Sequence, residues 1–124
     1  MMGEFSGESE VTAADTETLL ADRRRRYLLY CLHLYANPLG LPDVAHQVTV
    51  WEQSDSSGVC LERRLETYMS LYHDHLPILT GADLVRYEQG EDMVELGPAA
   101  DRITPPLESR LRRDVDELLH AESA

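Results

Sequence analysis

The stretch that decides the fold reads Leu84-Val85-Arg86-Tyr87-Glu88, then Gln89-Gly90-Glu91-Asp92, then Met93-Val94-Glu95-Leu96. Two short runs alternate apolar with polar residues on either side of a turn that contains a glycine. Alternation at period two sends one face of each run toward a core, and the intervening turn joins them as a β-hairpin. What precedes the hairpin then sets the architecture.

Reading backward, the spacing predicts a third helix from about Val59 to His75, ended by Pro77. Leu61, Leu65, Tyr68, Met69, Tyr72 and Leu76 fall in one stripe at 100° per residue, with Arg63, Glu66, Thr67, Ser70 and Asp74 on the opposite, outward face. A Ser-rich polar loop, Gln53 to Gly58, comes before it. Pro42 opens a short second helix with Asp43 in its first turn and Val44, Val48 and Trp51 as its apolar stripe. The turn Asn37-Pro38-Leu39-Gly40-Leu41 separates that helix from a first one of about twenty residues. The first is capped by Asp15 or Thr16 and carries Leu20, Tyr27, Leu28, Cys31, Leu34 and Tyr35. Residues 1–14 are acidic and polar and are expected to be disordered.

Reading forward, Gly97-Pro98 starts a linker, and Thr104 caps a last helix through Pro105-Pro106. Leu107, Leu111, Val115, Leu118 and Leu119 form its stripe, which a small core does not fully cover. The order is therefore three helices, hairpin, helix. It predicts an α+β, mainly helical chain of winged helix-turn-helix type. The expected divisions are an acidic tail over 1–14, a winged-helix domain over 15–97, and a linker with an amphipathic helix over 98–124.

Composition narrows the setting. The chain has 124 residues, 23 acidic against 11 basic, and a net charge of -12. Every basic residue is Arg. A strong acidic excess without Lys suits a cytoplasm at very high salt, where screening shortens to about 3 Å at 1 M. No apolar run reaches eighteen residues, which gives no expectation of a membrane span. The start has no basic segment followed by an apolar one, so the cytoplasm is the expected location. Cys31 and Cys60 form no C-x-x-C pair and are expected to be reduced thiols, Cys31 in the core.

Several segments together resemble a winged-helix domain widespread in halophilic archaea, mostly of uncharacterised function. They are Arg23-Arg24-Arg25-Arg26-Tyr27-Leu28-Leu29, Leu41-Pro42-Asp43-Val44-Ala45 with Val48-Thr49-Val50-Trp51-Glu52, Ser70-Leu71-Tyr72-His73-Asp74-His75-Leu76-Pro77, and Ala82-Asp83-Leu84-Val85-Arg86-Tyr87. The resemblance implies a DNA-binding or regulatory role and carries no catalytic residue, ligand or target. At the start of the third helix Glu62 and Glu66 interrupt Arg63 and Arg64, where that family is more basic.

The residues give candidate sites with competing explanations. Arg63 and Arg64 stand in the first turns of a recognition helix, where side chains reach base edges, and Thr67 and Ser70 share their face. A solvated face with Glu–Arg pairs, worth about 0.3–0.5 kcal/mol each, accounts for the same pattern. Arg23, Arg24, Arg25 and Arg26 crowd four charges into little more than one turn. Phosphate contact and pairing with acids of the same chain both account for them. Arg86 is the wing's one base, and the acids at the wing tip make that wing mainly structural. His73 and His75, two apart on a helix, do not match zinc spacing. No nucleophile–base set, phosphate loop or metalloprotease motif occurs, so no enzymatic activity, cofactor, metal or small-molecule ligand is expected. The expected partners are double-stranded DNA and a second copy, the latter through Leu107, Leu111, Val115, Leu118 and Leu119. The expected function is a DNA-binding transcriptional regulator. The alternative is a winged-helix module that binds another protein and not DNA.

Overall fold

Asp22 splits the first helical run in two. In a computed structural model that describes residues 13–53 and 58–123, α1 spans Ala13–Ala21 and α2 spans Arg23–Leu34. Asp22 between them is extended (φ -86°, ψ 127°), and its carboxylate accepts from the backbone N–H of Arg24 (2.9 Å) and Arg25 (3.4 Å). An acid that caps orphan amides at a helix start competes with continuing the helix, so the single twenty-residue helix expected there is two. The tail expected over 1–14 lies outside the described residues except for Ala13 and Ala14, which open α1. Every residue from Arg26 to Leu32 is buried, so α2 is the central helix and is covered all round.

A two-residue strand β1, Leu39–Gly40, leads straight into α3, Leu41–Glu52, with Pro42 in its first turn as expected. Helix α4, Leu61–Ser70, then passes into a π-helical segment, Leu71–His75, and on into α5, Leu76–Gly81. The expected stop at Pro77 does not occur. The Leu76 N–H reaches back five residues to Leu71 O, and Pro77 falls in the first turn of α5, where a missing N–H costs little.

The hairpin is present as β2, Val85–Glu88, and β3, Met93–Leu96, paired antiparallel with Val85 opposite Leu96 and Glu88 opposite Met93. Strand β1 joins the other edge of β3, Leu39 opposite Val94, giving the order β1-β3-β2. Two residues carry no alternation, so the sequence shows only the turn over 37–41 at this strand. Past the hairpin the chain bends tightly. Gly97 N–H donates to Leu84 O and Ala99 N–H to Asp83 O, both at 2.8 Å. A Cβ at Gly97 would lie 2.5 Å from Asp83 O, so only glycine fits. Helix α6 runs Ala100–Ser123 and starts four residues before the expected cap. Thr104 Oγ1 donates to Ala100 O (3.2 Å) inside the helix instead of capping it.

The architecture is α+β and mainly helical, with one small antiparallel sheet. Leu28, Leu29, Val44, Val48, Leu71, Leu79, Val85, Val94 and Ile103 meet in one buried core.

Candidate functional site

The orientation of α4 decides what the molecule offers. Cys60, extended just before the helix, accepts from Arg63 N–H through Sγ at 3.4 Å and caps it. Thr67, expected on the outward face, is 1% exposed. Thr49 Oγ1 on α3 donates to Thr67 Oγ1 (2.8 Å), and Thr67 Oγ1 donates back to Arg63 O (3.0 Å). Ala45 O lies 2.7 Å from Thr49 Oγ1, so this buried polar pair is satisfied within its own seam. Small side chains let α3 and α4 approach closely, and the helix turns Thr67 and Leu71 inward. The stripe expected to face the core is thereby divided: Leu76 is buried and Tyr68 and Tyr72 pack half-buried against the core, whereas Leu61, Leu65 and Met69 face out. Leu61 is 69% exposed, Leu65 57% and Met69 44%.

The arginines stand in different surroundings. Arg63 is exposed and Arg64 half-exposed, and neither guanidinium makes an ion pair among the described residues. They flank the inward seam, one on each side of Thr67. The outward face between Leu61 and Met69 carries Glu62 and Glu66, both exposed, and Ser70 is half-buried.

In the Arg23–Arg26 run the structure favours pairing within the chain for two of the four. Arg23 is exposed. Arg24 grips Glu52 with two bonds, Nε to Oε2 at 2.7 Å and Nη2 to Oε1 at 2.9 Å, tying α2 to the end of α3. Those bonds raise its pKa above the ordinary arginine value. Arg25 reaches Thr18 O at 3.5 Å.

Arg26 is buried, which removes it from any DNA surface. Its Nε and Nη2 meet Asp114 of α6 at 2.9 and 3.1 Å, and Nη1 donates to Leu20 O and Ala21 O. Tyr30 Oη donates to the same carboxylate at 2.6 Å. Burial opposes charge on both partners. The hydrogen bonds outweigh it, holding Asp114 below the usual carboxylate range and Arg26 above the usual arginine value. Of the nine residues expected at DNA, then, Arg26 and Thr67 are buried and Arg24 is engaged. Arg23, Arg63, Arg64 and Arg86 remain at the surface.

The C-terminal stripe is also divided. Leu107 is 3% exposed in its own chain's core, so it cannot serve a dimer, and Leu111 packs half-buried against that core. Val115, Leu118 and Leu119 are exposed. Sequence reasoning missed Asp114, although the signal was available: a carboxylate seven residues after Leu107 sits on the inward stripe and needs a buried cation.

Between α3 and α4 lies a groove of about 550 Å³ lined by Pro42, Asp43, Ala45, His46, Leu61, Arg64, Leu65, Tyr68 and Asp92. Asp92, with φ 58° at the hairpin turn, does not project as an acidic wing tip. Its carboxylate accepts from Tyr68 Oη (2.7 Å) and Tyr87 Oη (2.6 Å). Burial and these bonds raise both phenol pKa values. The hairpin is thus pinned to α4 by its own acid.

Residues 17–95 match the family described as a domain of unknown function, DUF7344. The chain belongs to this family. Neither the curated proteins nor the solved structures give a match. The DUF7344 match takes in α4, the groove and the hairpin and stops short of α6, so Arg26 lies inside the family segment and its partner Asp114 outside it. Among the described residues, no three His, Cys, Asp or Glu side chains are grouped to hold a metal ion. No helix among them is long and apolar enough to cross a membrane.

Proposed function

We propose that the chain is a winged-helix module whose third helix, α4, docks another protein. The observation that carries this reading is the outward direction of Leu61, Leu65 and Met69 on an amphipathic helix. Apolar residues grouped on one exposed face mark an interaction site, whereas singly scattered ones need no explanation. The strand order β1-β3-β2, with β1 entering from the turn ahead of α3 and the hairpin following the α4–α5 run, supports the winged-helix part. Glu62 and Glu66 beside the apolar ridge, on a chain of net charge -12, support a protein partner over a phosphate backbone.

A second reading, a DNA-binding transcriptional regulator in a high-salt cytoplasm, is favoured by Arg63 and Arg64 near the start of α4, which make no ion pair among the described residues, and by the exposed Arg23 and Arg86. Homodimerisation narrows to the last turns of α6, at Val115 and Leu118, and sedimentation across a concentration series reads it.

Photo-crosslinking separates the two main readings. A benzoylphenylalanine in place of Leu65, in cells of the native host, should give a protein adduct of defined mass that the same probe at exposed Glu108 does not. A nucleic-acid adduct at Leu65, or the same adducts at both positions, overturns the protein-docking reading. Genomic-fragment binding at molar KCl, lost on Arg63→Ala with Arg64→Ala, would establish the second.

A further inference from the structure

We infer that the groove between α3 and α4 receives a cationic amphipathic helix from another protein. The inference rests on the protein-docking reading above and adds the chemistry of the partner. Leu61, Leu65 and Met69 follow one another at every fourth residue, so their side chains form a ridge along one face of α4. A ridge at that spacing packs against a second helix whose own apolar residues recur at i, i+3, i+4 and i+7. Beside it the chain recedes. Ala45, fully buried on α3, supplies a small floor, and Tyr68 forms the wall toward the hairpin. Ridge and hollow together fit a rod-shaped apolar surface better than a small polar ligand.

Charge selects the sign of the partner. Asp43 and Asp92 line the groove, and Glu62 and Glu66 stand on the exposed side of α4 beside the ridge. In the groove itself these two aspartates meet one guanidinium, Arg64, together with His46, and on α4 outside it Glu62 and Glu66 stand against the exposed Arg63, so acids outnumber guanidinium groups four to two. Asp92 is fixed by two tyrosine hydroxyls, so it presents its charge from a set position. An apolar strip bordered by an excess of acids is complementary to a helix with Leu or Ile on one face and Arg or Lys beside it. A second copy offers the exposed Val115 and Leu118 of α6 near Arg112 and Arg113. That contact joins unlike patches, and unless the rotation closes a ring it continues into an open chain.

The test uses the full chain and two synthetic twenty-residue helical peptides with the same Leu face, one flanked by Arg and the other by Glu. Binding is read by fluorescence anisotropy, and the bound surface by amide shifts. The Arg peptide should bind and shift Ala45, Leu61, Leu65 and Met69, and Leu65→Glu, a surface change that leaves the fold intact, should weaken it at least about tenfold. The Glu peptide should bind at least about tenfold more weakly, the gap closing at 1 M KCl as screening shortens to about 3 Å. Equal binding of both peptides overturns the charge inference and leaves helix docking standing. Arg-peptide binding unaffected by Leu65→Glu, or no binding by either peptide, overturns the inference. The docking reading itself then stands or falls on the crosslink at Leu65. Self-association that Leu65→Glu abolishes would replace the partner by a second copy.

Discussion

Removing the Asp114 carboxylate should destabilise the whole molecule, not just the helix that carries it. The Arg26 and Asp114 side chains are 8% and 10% exposed, and they join α2 to α6 across 88 positions of sequence. In Asp114→Ala the guanidinium keeps only the carbonyls of Leu20 and Ala21, and Tyr30 Oη loses its acceptor. Breaking a buried pair from one side costs about 3–5 kcal/mol because an uncompensated charge remains. The two carbonyls that stay hold the loss from Arg26 to about 3 kcal/mol, and the orphaned hydroxyl adds about 1 kcal/mol, for a total of about 4 kcal/mol. Over 124 residues the unfolding entropy near 60 °C is about 0.26 kcal/mol/K, so Tm should fall by about 15 °C. Calorimetry at fixed pH and KCl measures this. The double variant Arg26→Met with Asp114→Leu should recover most of the loss, since apolar groups of similar size replace a buried pair at little cost. A loss below about 1 kcal/mol in Asp114→Ala, or a double variant less stable than the single, would refute the argument. The same logic predicts that a chain cut after Gly97, which keeps the DUF7344 segment and orphans Arg26, fails to give a cooperative melt.

Gly97→Ala should cost about 3 kcal/mol, at the upper end for overpacking, because the new methyl meets the Asp83 carbonyl and not a movable side chain; urea unfolding would show it, and an unchanged midpoint would sink it. Burial pushes the Cys31 thiol up to about 12, whereas Cys60 is exposed. A chromogenic disulfide reagent should therefore titrate one thiol at once and the second only at the rate of unfolding. Burial, with Arg25 acting in the same direction and Asp22 opposing, lowers the His75 pKa. The unfolded chain thus binds a proton near pH 6.5 that the native imidazole refuses, and stability should fall as pH drops below about 6.5. In His75→Gln that part of the slope should be lost, so the difference between variant and parent should vary across pH 5–8; a difference flat over that range contradicts the assignment. Asp114 gives the next limb: its native pKa is depressed, so its contribution is present above about pH 4 and lost below it.

The hairpin, the three helical regions ahead of it and the apolar helix after it were all legible in the sequence, because period-two and period-3.6 patterns report directly on which residues share a face. The direction of that face was not legible for α4, and the π segment explains why. A stripe drawn at 100° per residue from Leu61 through Leu65 and Met69 arrives at Leu76, which is 3% exposed, and so assigns the whole stripe to the core. The turn at Leu71–His75 holds one residue more than an α turn. Subtracting that residue, Leu76 aligns with Leu71 and Thr67, both buried, and no longer with Leu65. One extra residue therefore rotates the first half of the helix by about 100°, bringing a threonine into the seam and putting two leucines and a methionine in solvent. Nothing in composition signals a π turn. The indirect sign is Thr49 on α3, a polar residue next to the buried Val48, which needs a hydroxyl partner across the seam and finds it in Thr67. Arg26 and Asp114 follow the same principle from the other side of the core. Each is a polar residue on an apolar stripe, and each stripe could be oriented by asking which polar group would be left unsatisfied if the other one turned away. The surface this chain offers was set by where its buried polar groups could be paired, and the exposed leucines of α4 are the consequence.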